Sequence, residues 1–204
     1  MKTIHIYLAG TIKKGKEEEH ELTWTEQHKE LLQNQLSCSV VFLNPAYRSD
    51  DLSDQVSVFG RDLFQVFSSN LVLVDARERR GLGVGAEMMF AKMHRIPVVS
   101  WLPNDSHYNR EEIHFLGQTV KSWIHPFVFN LSDYLAPSLE DAASWIEKEL
   151  LPDNVHIKGP ESLREAMSHY LETQLKQDVS MDTLVSAHDH FQQKVTVLNE
   201  FSFF

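Results

Sequence analysis

Four short apolar runs recur along the first half of the chain and constrain its fold more than any other feature. They occupy residues 3–9, 40–43, 71–74 and 97–101, and helix-favouring stretches separate them. Strands that are buried on both faces form continuous apolar runs of this kind. Strands that alternate with helices pack as a parallel sheet covered on both sides. We therefore expect an α/β fold with a flavodoxin- or Rossmann-like, doubly wound parallel sheet.

The second half of the chain is expected to complete a five-stranded sheet and to add helices. Residues 126–129 are predicted as the fifth strand, and a helix is predicted over 138–150. A linker and two amphipathic helices follow. We therefore expect an α/β domain over 1–151 and a helical C-terminal extension over 152–204. The polar stretch 102–122 fits no regular element.

Composition and charge exclude several classes of protein. Of the 204 residues, 42% are hydrophobic and 24% are charged, which is typical of a globular chain rather than a disordered or fibrous one. The single cysteine, Cys38, can form no internal disulfide, and it predicts a reducing, cytoplasmic location. No apolar run approaches the ~20 residues of a membrane span, so no membrane partner is expected. The net charge of −10 argues against binding to long nucleic acids, which depends on Lys and Arg.

The segment 81–87, Gly-Leu-Gly-Val-Gly-Ala-Glu, lies between the third strand and a helix predicted to begin near Gly85. Gly81, Gly83 and Gly85 allow the backbone to approach a ligand closely. Glu87 is expected in the first helical turn, where the helix dipole favours an ionised carboxylate, as a nucleophile requires. A simple helix-start glutamate, common for the same electrostatic reason, is the alternative. The glycine spacing departs from the G-x-G-x-x-G dinucleotide fingerprint.

The loop after the first strand is a second candidate ligand site. Gly10, Thr11, Ile12 and Lys13 form a cradle that suits a phosphate or a sugar hydroxyl. In a flavodoxin-like sheet of order 2-1-3-4-5, the loops after strands 1 and 3 face one crevice. Both loops are basic, since they contain Lys13, Lys14, Arg77, Arg79 and Arg80. We therefore expect a small anionic ligand in this crevice, with two solvated loops as the alternative.

Three short segments of the predicted sheet domain form a joint pattern. They are Tyr-Leu-Ala-Gly-Thr-Ile at 7–12, Arg-Asp-Leu at 61–63 and Leu-Gly-Val-Gly-Ala-Glu-Met at 82–88. Together they resemble the nucleoside 2-deoxyribosyltransferase superfamily, which includes the 2′-deoxynucleoside 5′-monophosphate N-glycosidases. The resemblance covers about residues 3–101 and extends more weakly to residue 150.

The resemblance implies a role for three side chains. Glu87 matches the family glutamate, whose carboxylate attacks the anomeric carbon of the sugar as the base departs. Asp62 matches an aspartate that contacts the nucleoside and assists departure of the base, and Tyr7 matches an aromatic hydroxyl that orients the nucleophile. The implied activity is cleavage or transfer at the N-glycosidic bond of a nucleoside or nucleoside 5′-monophosphate, without metal or organic cofactor. The alternative is a non-catalytic nucleotide-binding or sensing module on the same fold.

The glycine-rich turn departs from the family pattern at one position. Gly81 stands where transferases carry an aspartate and where the monophosphate glycosidases tend to carry a serine. Arg79 or Arg80 is expected to replace that serine as the phosphate contact, and the basic loops favour a monophosphate substrate. The expected substrate-binding residues are Gly10, Thr11, Ile12, Lys13, Arg80, Gly81, Gly83 and Gly85. Apolar stripes on the C-terminal helices and at residues 201–204 predict a homodimer or a larger homo-oligomer.

Overall fold

The computed structural model describes residues 2–10 and 24–200, with side chains described as far as Leu198. The predicted cradle residues 11–13 and the apolar residues 201–204 therefore lie outside the described residues. The described chain divides into two compact units, and each of them is treated separately below.

The first unit, Met1–Ile157, is built around a five-stranded parallel sheet. The strands of the chain are β1 (Thr3–Ala9), β2 (Ser39–Leu43), β3 (Leu71–Asp75), β4 (Val98–Trp101), β5 (Asn109–Phe115), β6 (Gln118–Ile124) and β7 (Tyr134–Ala136). The large sheet has the order β2-β1-β3-β4-β7, and β5 pairs with β6 in a separate antiparallel hairpin. The predicted doubly wound α/β class and the 2-1-3-4-5 order are both confirmed.

Helices cover the sheet, and each begins at a residue suited to that position. They are α1 (Glu26–Gln35), α2 (Gln55–Phe67), α3 (Leu82–Met93), α4 (Pro126–Leu131) and α5 (Leu139–Trp145), which continues as a π-helical turn over Ile146–Leu150. Asp54 caps α2 by accepting hydrogen bonds from the amides of Val56 and Ser57, and Ser138 caps α5. Helix α1 packs against α5, and α2 packs against α3.

The strand predicted over 126–129 is wrong, because these residues belong to α4. Pro126 occupies the first helical turn, where its missing N–H is tolerated and its fixed φ angle favours a helix. The side-chain amide of Asn130 donates a hydrogen bond to the Pro126 carbonyl at 2.9 Å. The fifth strand of the sheet is β7 instead, where Tyr134 lies beside Val99 of β4.

The polar stretch 102–122 contains most of the β5–β6 hairpin, which sequence reasoning left without an element. Leu116 and Gly117 form its turn, and both have positive φ angles, of 49° and 78°. Cross-strand pairs on its two faces include Ile113 with Val120 and the oppositely charged Glu112 with Lys121.

The described residues of the second unit, Lys158–Phe204, form three α-helices where two were predicted. They are α6 (Pro160–Thr173), α7 (Val179–Ala187) and α8 (Asp189–Glu200). The apolar stripe that predicted one helix is interrupted at His188, whose extended backbone separates α7 from α8. The Tyr170 hydroxyl donates a hydrogen bond to Asp178 at 2.8 Å and ties the end of α6 to the start of α7. None of the helices described in this chain is both long enough and apolar enough to span a membrane.

Candidate functional site

A direct hydrogen bond joins β1 to α3 at the candidate site. The hydroxyl of Tyr7 donates to Oε1 of Glu87 at 2.8 Å, and the Tyr7 side chain is completely buried. The other carboxylate oxygen of Glu87, Oε2, is also buried, and none of the described residues forms a hydrogen bond with it. One oxygen of Glu87 is therefore held in place, while its second oxygen has unused hydrogen-bonding capacity.

Helix α3 places Glu87 through the spacing of its apolar residues. Val84, Met88 and Ala91 are buried and recur at intervals of four and three, which turns one face of the helix inward. The first buried residue of this face is Val84, so the helix already includes residues before Gly85. It starts at Leu82 rather than near Gly85 as predicted. Glu87 is therefore the sixth residue of α3 and lies in the second turn, so its predicted place in the first turn is wrong.

The ionisation of Glu87 also differs from the expectation. The pKa of Glu87 is raised from 4.5 to about 7, because burial, the largest cause, and the negative charge of Asp62 together outweigh the lowering effect of the hydrogen bond from Tyr7. The helix dipole acts mainly on the first turn, so it does not offset the burial of a residue in the second. Burial and the charge of Glu87 raise the pKa of Tyr7, which therefore keeps its proton and remains the donor.

Asp62 lies on α2 between two arginine side chains. Nη1 of Arg48 is 3.3 Å from both carboxylate oxygens of Asp62, and Nη1 of Arg61 is 3.2 Å from Oδ1. Arg61 also donates to the Tyr47 carbonyl at 2.7 Å, which fixes its position. The charge of Asp62 acts on Tyr7 as well as on Glu87. The structure therefore joins Tyr7 to Glu87 directly and places Asp62 near enough for its charge to act on both, whereas the predicted roles of the three residues stay predictions.

The arginine pair is balanced by a second carboxylate. Arg48 donates to both oxygens of Asp50, at 2.8 and 2.5 Å, and this interaction holds the pKa of Asp50 at about 2. Sequence reasoning did not select Arg48 as a site residue. The only available signal was its position in the polar loop after β2, next to a cluster of aspartates.

The basic loop after β3 is organised around a buried carboxylate rather than an open anion site. Asp75 ends β3 and is completely buried, with Nη2 of Arg77 2.8 Å from Oδ2 and Nη2 of Arg80 2.7 Å from Oδ1. Burial alone would raise the pKa of Asp75, but the hydrogen bonds and charges of the two arginines hold it below its usual value. The Arg77 guanidinium also stacks on the Trp101 ring, 3.8 Å from its centroid.

Arg80 has a different position from the one expected of a phosphate contact. Its side chain is only 7% exposed because it lies against Asp75, and its backbone amide donates to the Tyr108 hydroxyl at 2.7 Å. Arg80 therefore anchors the turn that leads into α3. Arg79 is exposed, whereas Lys13 and Lys14 lie outside the described residues.

The glycines of the turn border open space. A Cβ atom added to Gly81 or Gly85 would meet no atom of the described residues within 4 Å, and one added to Gly83 would lie 4.0 Å from Oε1 of Glu87. Gly10 directly follows β1, at the same carboxyl edge of the sheet. Of these glycines, Gly83 in the first turn of α3 is therefore the one whose missing side chain leaves room beside Glu87. The described residues contain no group of three or more His, Cys, Asp or Glu side chains suited to hold a metal ion.

Comparisons with known proteins support the fold and name no function. No protein-family model matches the chain, and no curated protein matches it. A solved structure of a "conserved protein" from Enterococcus faecalis V583 is similar, with a TM-score of 0.55 and 18% sequence identity. The similarity covers 72% of this chain and 99% of that chain. It shows that the two proteins share the α/β fold.

Proposed function

We propose that the protein cleaves the N-glycosidic bond of a nucleoside or a nucleoside 5′-monophosphate, with Glu87 as the nucleophile. The hydrogen bond between Tyr7 and Glu87 carries the proposal, because it orients one carboxylate oxygen and leaves Oε2 available. Asp62 acts on both groups and supplies the second carboxylate that glycosidic chemistry requires.

The reaction has two displacement steps. In the first, Oε2 of ionised Glu87 forms a bond to the anomeric carbon while the N-glycosidic bond breaks, and the nucleobase leaves with the bonding electrons and takes up a proton from the solvent. Asp62 contacts the nucleoside during this step. In the second step, water or another nucleobase attacks the anomeric carbon and gives up a proton to the solvent, while the bond between the anomeric carbon and Glu87 breaks and restores the carboxylate. Water gives hydrolysis, and a second base gives transfer.

The pKa of Glu87 determines how much of the enzyme can react. Because this pKa is about 7, only part of the free enzyme carries the ionised nucleophile at neutral pH. The Tyr7 hydroxyl stabilises the anion by donating a hydrogen bond to it. Activity that depends on nucleophilic attack must therefore increase as the pH rises through about 7.

The substrate class includes both nucleosides and their 5′-monophosphates. Five basic side chains in the two loops favoured a monophosphate, and two of them, Arg77 and Arg80, are paired with Asp75. Phosphate recognition then depends on Arg79 and on the lysines of the first loop. An assay of this proposal must therefore include each nucleoside with and without its 5′-phosphate.

A non-catalytic nucleotide-binding or sensing module is the second candidate. The raised pKa of Glu87 favours it, because a protonated carboxyl group donates a hydrogen bond to a bound base instead of attacking the sugar. Such a module would bind members of the nucleoside panel and release no free base from them.

The test is release of free base from a panel of purine and pyrimidine nucleosides, measured by chromatography. We expect wild-type turnover of at least one compound, and we expect Glu87→Ala and Glu87→Gln to lower it by several orders of magnitude. Exposed Glu78 provides the control, since Glu78→Gln makes the same chemical change outside the site. Near-normal turnover by either Glu87 variant, or no base release from any compound, would contradict the proposal.

Two properties complete the proposal. The sole cysteine, Cys38, is free and buried, which suits a reducing, cytoplasmic location. We also infer that the protein forms a homodimer or a larger homo-oligomer, because the C-terminal helices leave the large apolar side chains of Met167, Val179 and Leu184 exposed.

A further inference from the structure

Helix α2 exposes a row of large apolar side chains on its outer face. Val56 is 82% exposed, Phe59 61%, Phe64 68% and Phe67 56%. With about 200 Å² for a fully exposed aromatic side chain, these four residues present about 500 Å² of apolar surface. A patch of this size lies near the upper end of what the surface of a typical monomer carries.

The outer face of α2 also lacks charge. The only charged residues of the helix, Arg61 and Asp62, are partly buried and bonded to each other. Interface cores are poor in charged residues and rich in aromatic ones, and the outer face of α2 has both properties. The absence of charge also matters because each copy carries a net charge of −10, so copies repel each other elsewhere on the surface.

Four residues along the middle of this face are spaced to fit a second copy of the same helix, with Phe59 and Phe64 on either side of them. Val56, Gly60, Leu63 and Phe67 follow one another at intervals of four, three and four residues, which is the seam of paired helices. This seam is symmetric about its midpoint. In an antiparallel pair, Val56 faces Phe67 of the partner copy, and Gly60 faces Leu63. A Cβ atom at Gly60 would meet no atom of the described residues within 4 Å, so there is room for the opposing leucine.

We propose that α2 pairs with α2 of a second copy in an antiparallel arrangement about a two-fold axis. The seam is self-complementary, as an isologous two-fold interface requires. The apolar surface continues onto α3, which packs against α2 and leaves Leu82 94% and Met93 40% exposed. With these two residues the patch reaches about 700 Å² per copy, close to the roughly 800 Å² per partner of a stable interface.

The first test is the mass of the full chain in solution, measured by light scattering at micromolar concentration. We expect the wild type to have twice the 23.6 kDa mass of one chain. Val56→Glu and Phe67→Glu each place two charges in the interface and are expected to raise the dissociation constant more than about 100-fold. Leu116→Glu on the β5–β6 turn is the matched control, because Leu116 is 86% exposed and lies outside the seam.

The second test is a disulfide cross-link that reports the direction of pairing. In a Cys38→Ser background, Val56→Cys and Phe67→Cys are made in separate proteins, which are then mixed and oxidised. Eleven residues of helix span about 16 Å, so in an antiparallel pair neither cysteine reaches its own symmetry mate, and a cross-link needs Cα atoms within about 7 Å. We expect a covalent dimer in the mixture and none in either protein alone.

A dimer that the charged variants weaken, and a cross-link in the mixture alone, would support the proposal. A monomeric wild type, charged variants that dimerise as strongly as the control, or a cross-link formed by each protein alone would overturn it. None of these measurements involves nucleosides, so the pairing of α2 can fail while the proposed enzymatic activity holds.

Discussion

Replacing Glu87 with glutamine should stabilise the protein at alkaline pH although it removes the proposed nucleophile. Folding raises the pKa of Glu87 from 4.5 to about 7. A difference of about 2.5 units corresponds to about 3 kcal/mol at about 1.36 kcal/mol per unit. The folded state therefore binds this proton more tightly than the unfolded chain does. As the pH rises from 4.5 through about 7, this difference is lost and the free energy of unfolding falls.

The glutamine side chain has nearly the same shape and carries no charge at any pH. At pH 4 the variant and the wild type should have similar free energies of unfolding, whereas at pH 8 the variant should be more stable by about 3 kcal/mol. For a chain of this length that difference corresponds to about 6–12 °C in Tm. Thermal and urea unfolding at the two pH values measure it directly.

The exposed Glu78 provides the matched control for this experiment. Glu78→Gln makes the same change of atoms outside the buried site, so its effect on Tm should vary little with pH. If Glu87→Gln changes Tm equally at pH 4 and pH 8, or lowers it at pH 8, then Glu87 is not a buried carboxyl with a raised pKa, and the reasoning fails.

Three further predictions concern the neighbours of Glu87 and the stability of the first unit. Tyr7→Phe removes a hydrogen bond that lowers the pKa of Glu87, so the rising limb of the pH profile of kcat/KM should shift to higher pH. Asp62→Asn removes a charge that raises the pKa of Glu87, so the same limb should shift to lower pH. Shifts in the same direction would refute this assignment. Gly83→Ala, in the first turn of α3, should raise the KM of the nucleoside, because the added Cβ atom would lie 4.0 Å from Oε1 of Glu87 and narrow the space beside it; an unchanged KM would remove Gly83 from the site. Lys92→Met removes the ammonium group paired with buried Asp133, which also accepts a hydrogen bond from the Val98 amide at 2.6 Å, and should lower the free energy of unfolding by about 3–5 kcal/mol; a loss below about 1 kcal/mol would contradict this role.

The sheet was predictable because its central strands, β1, β3 and β4, are largely buried and therefore continuously apolar. Residues 71–74 are a clear case, since all of them are buried in β3. The fifth strand was placed wrongly because residues 126–129 are also apolar, and four apolar residues do not distinguish a strand from one turn of helix. Pro126, which favours the first turn of a helix, was the local signal that these residues are helical.

The proximity of the candidate site residues was predictable, but their electrostatics were not. The resemblance selected Tyr7, Asp62 and Glu87; the structure joins Tyr7 to Glu87 and places the charge of Asp62 near both, and their catalytic roles stay predictions. The pKa of Glu87 depends on burial, which only the packed structure determines. The pairing of Arg80 with Asp75 was also hidden from the sequence, because a loop arginine has the same local pattern whether it faces solvent or a buried carboxylate.

The most direct test of the account is covalent labelling of the nucleophile. A nucleoside that the enzyme turns over is prepared with fluorine at C2 of the sugar, which slows breakdown of a glycosyl-enzyme intermediate, and the treated protein is analysed by peptide mass spectrometry. We predict one sugar adduct, located on Glu87 and missing from Glu87→Gln. An adduct on Asp62, or continued release of base with no adduct on the protein, would contradict the assignment of Glu87 as the nucleophile.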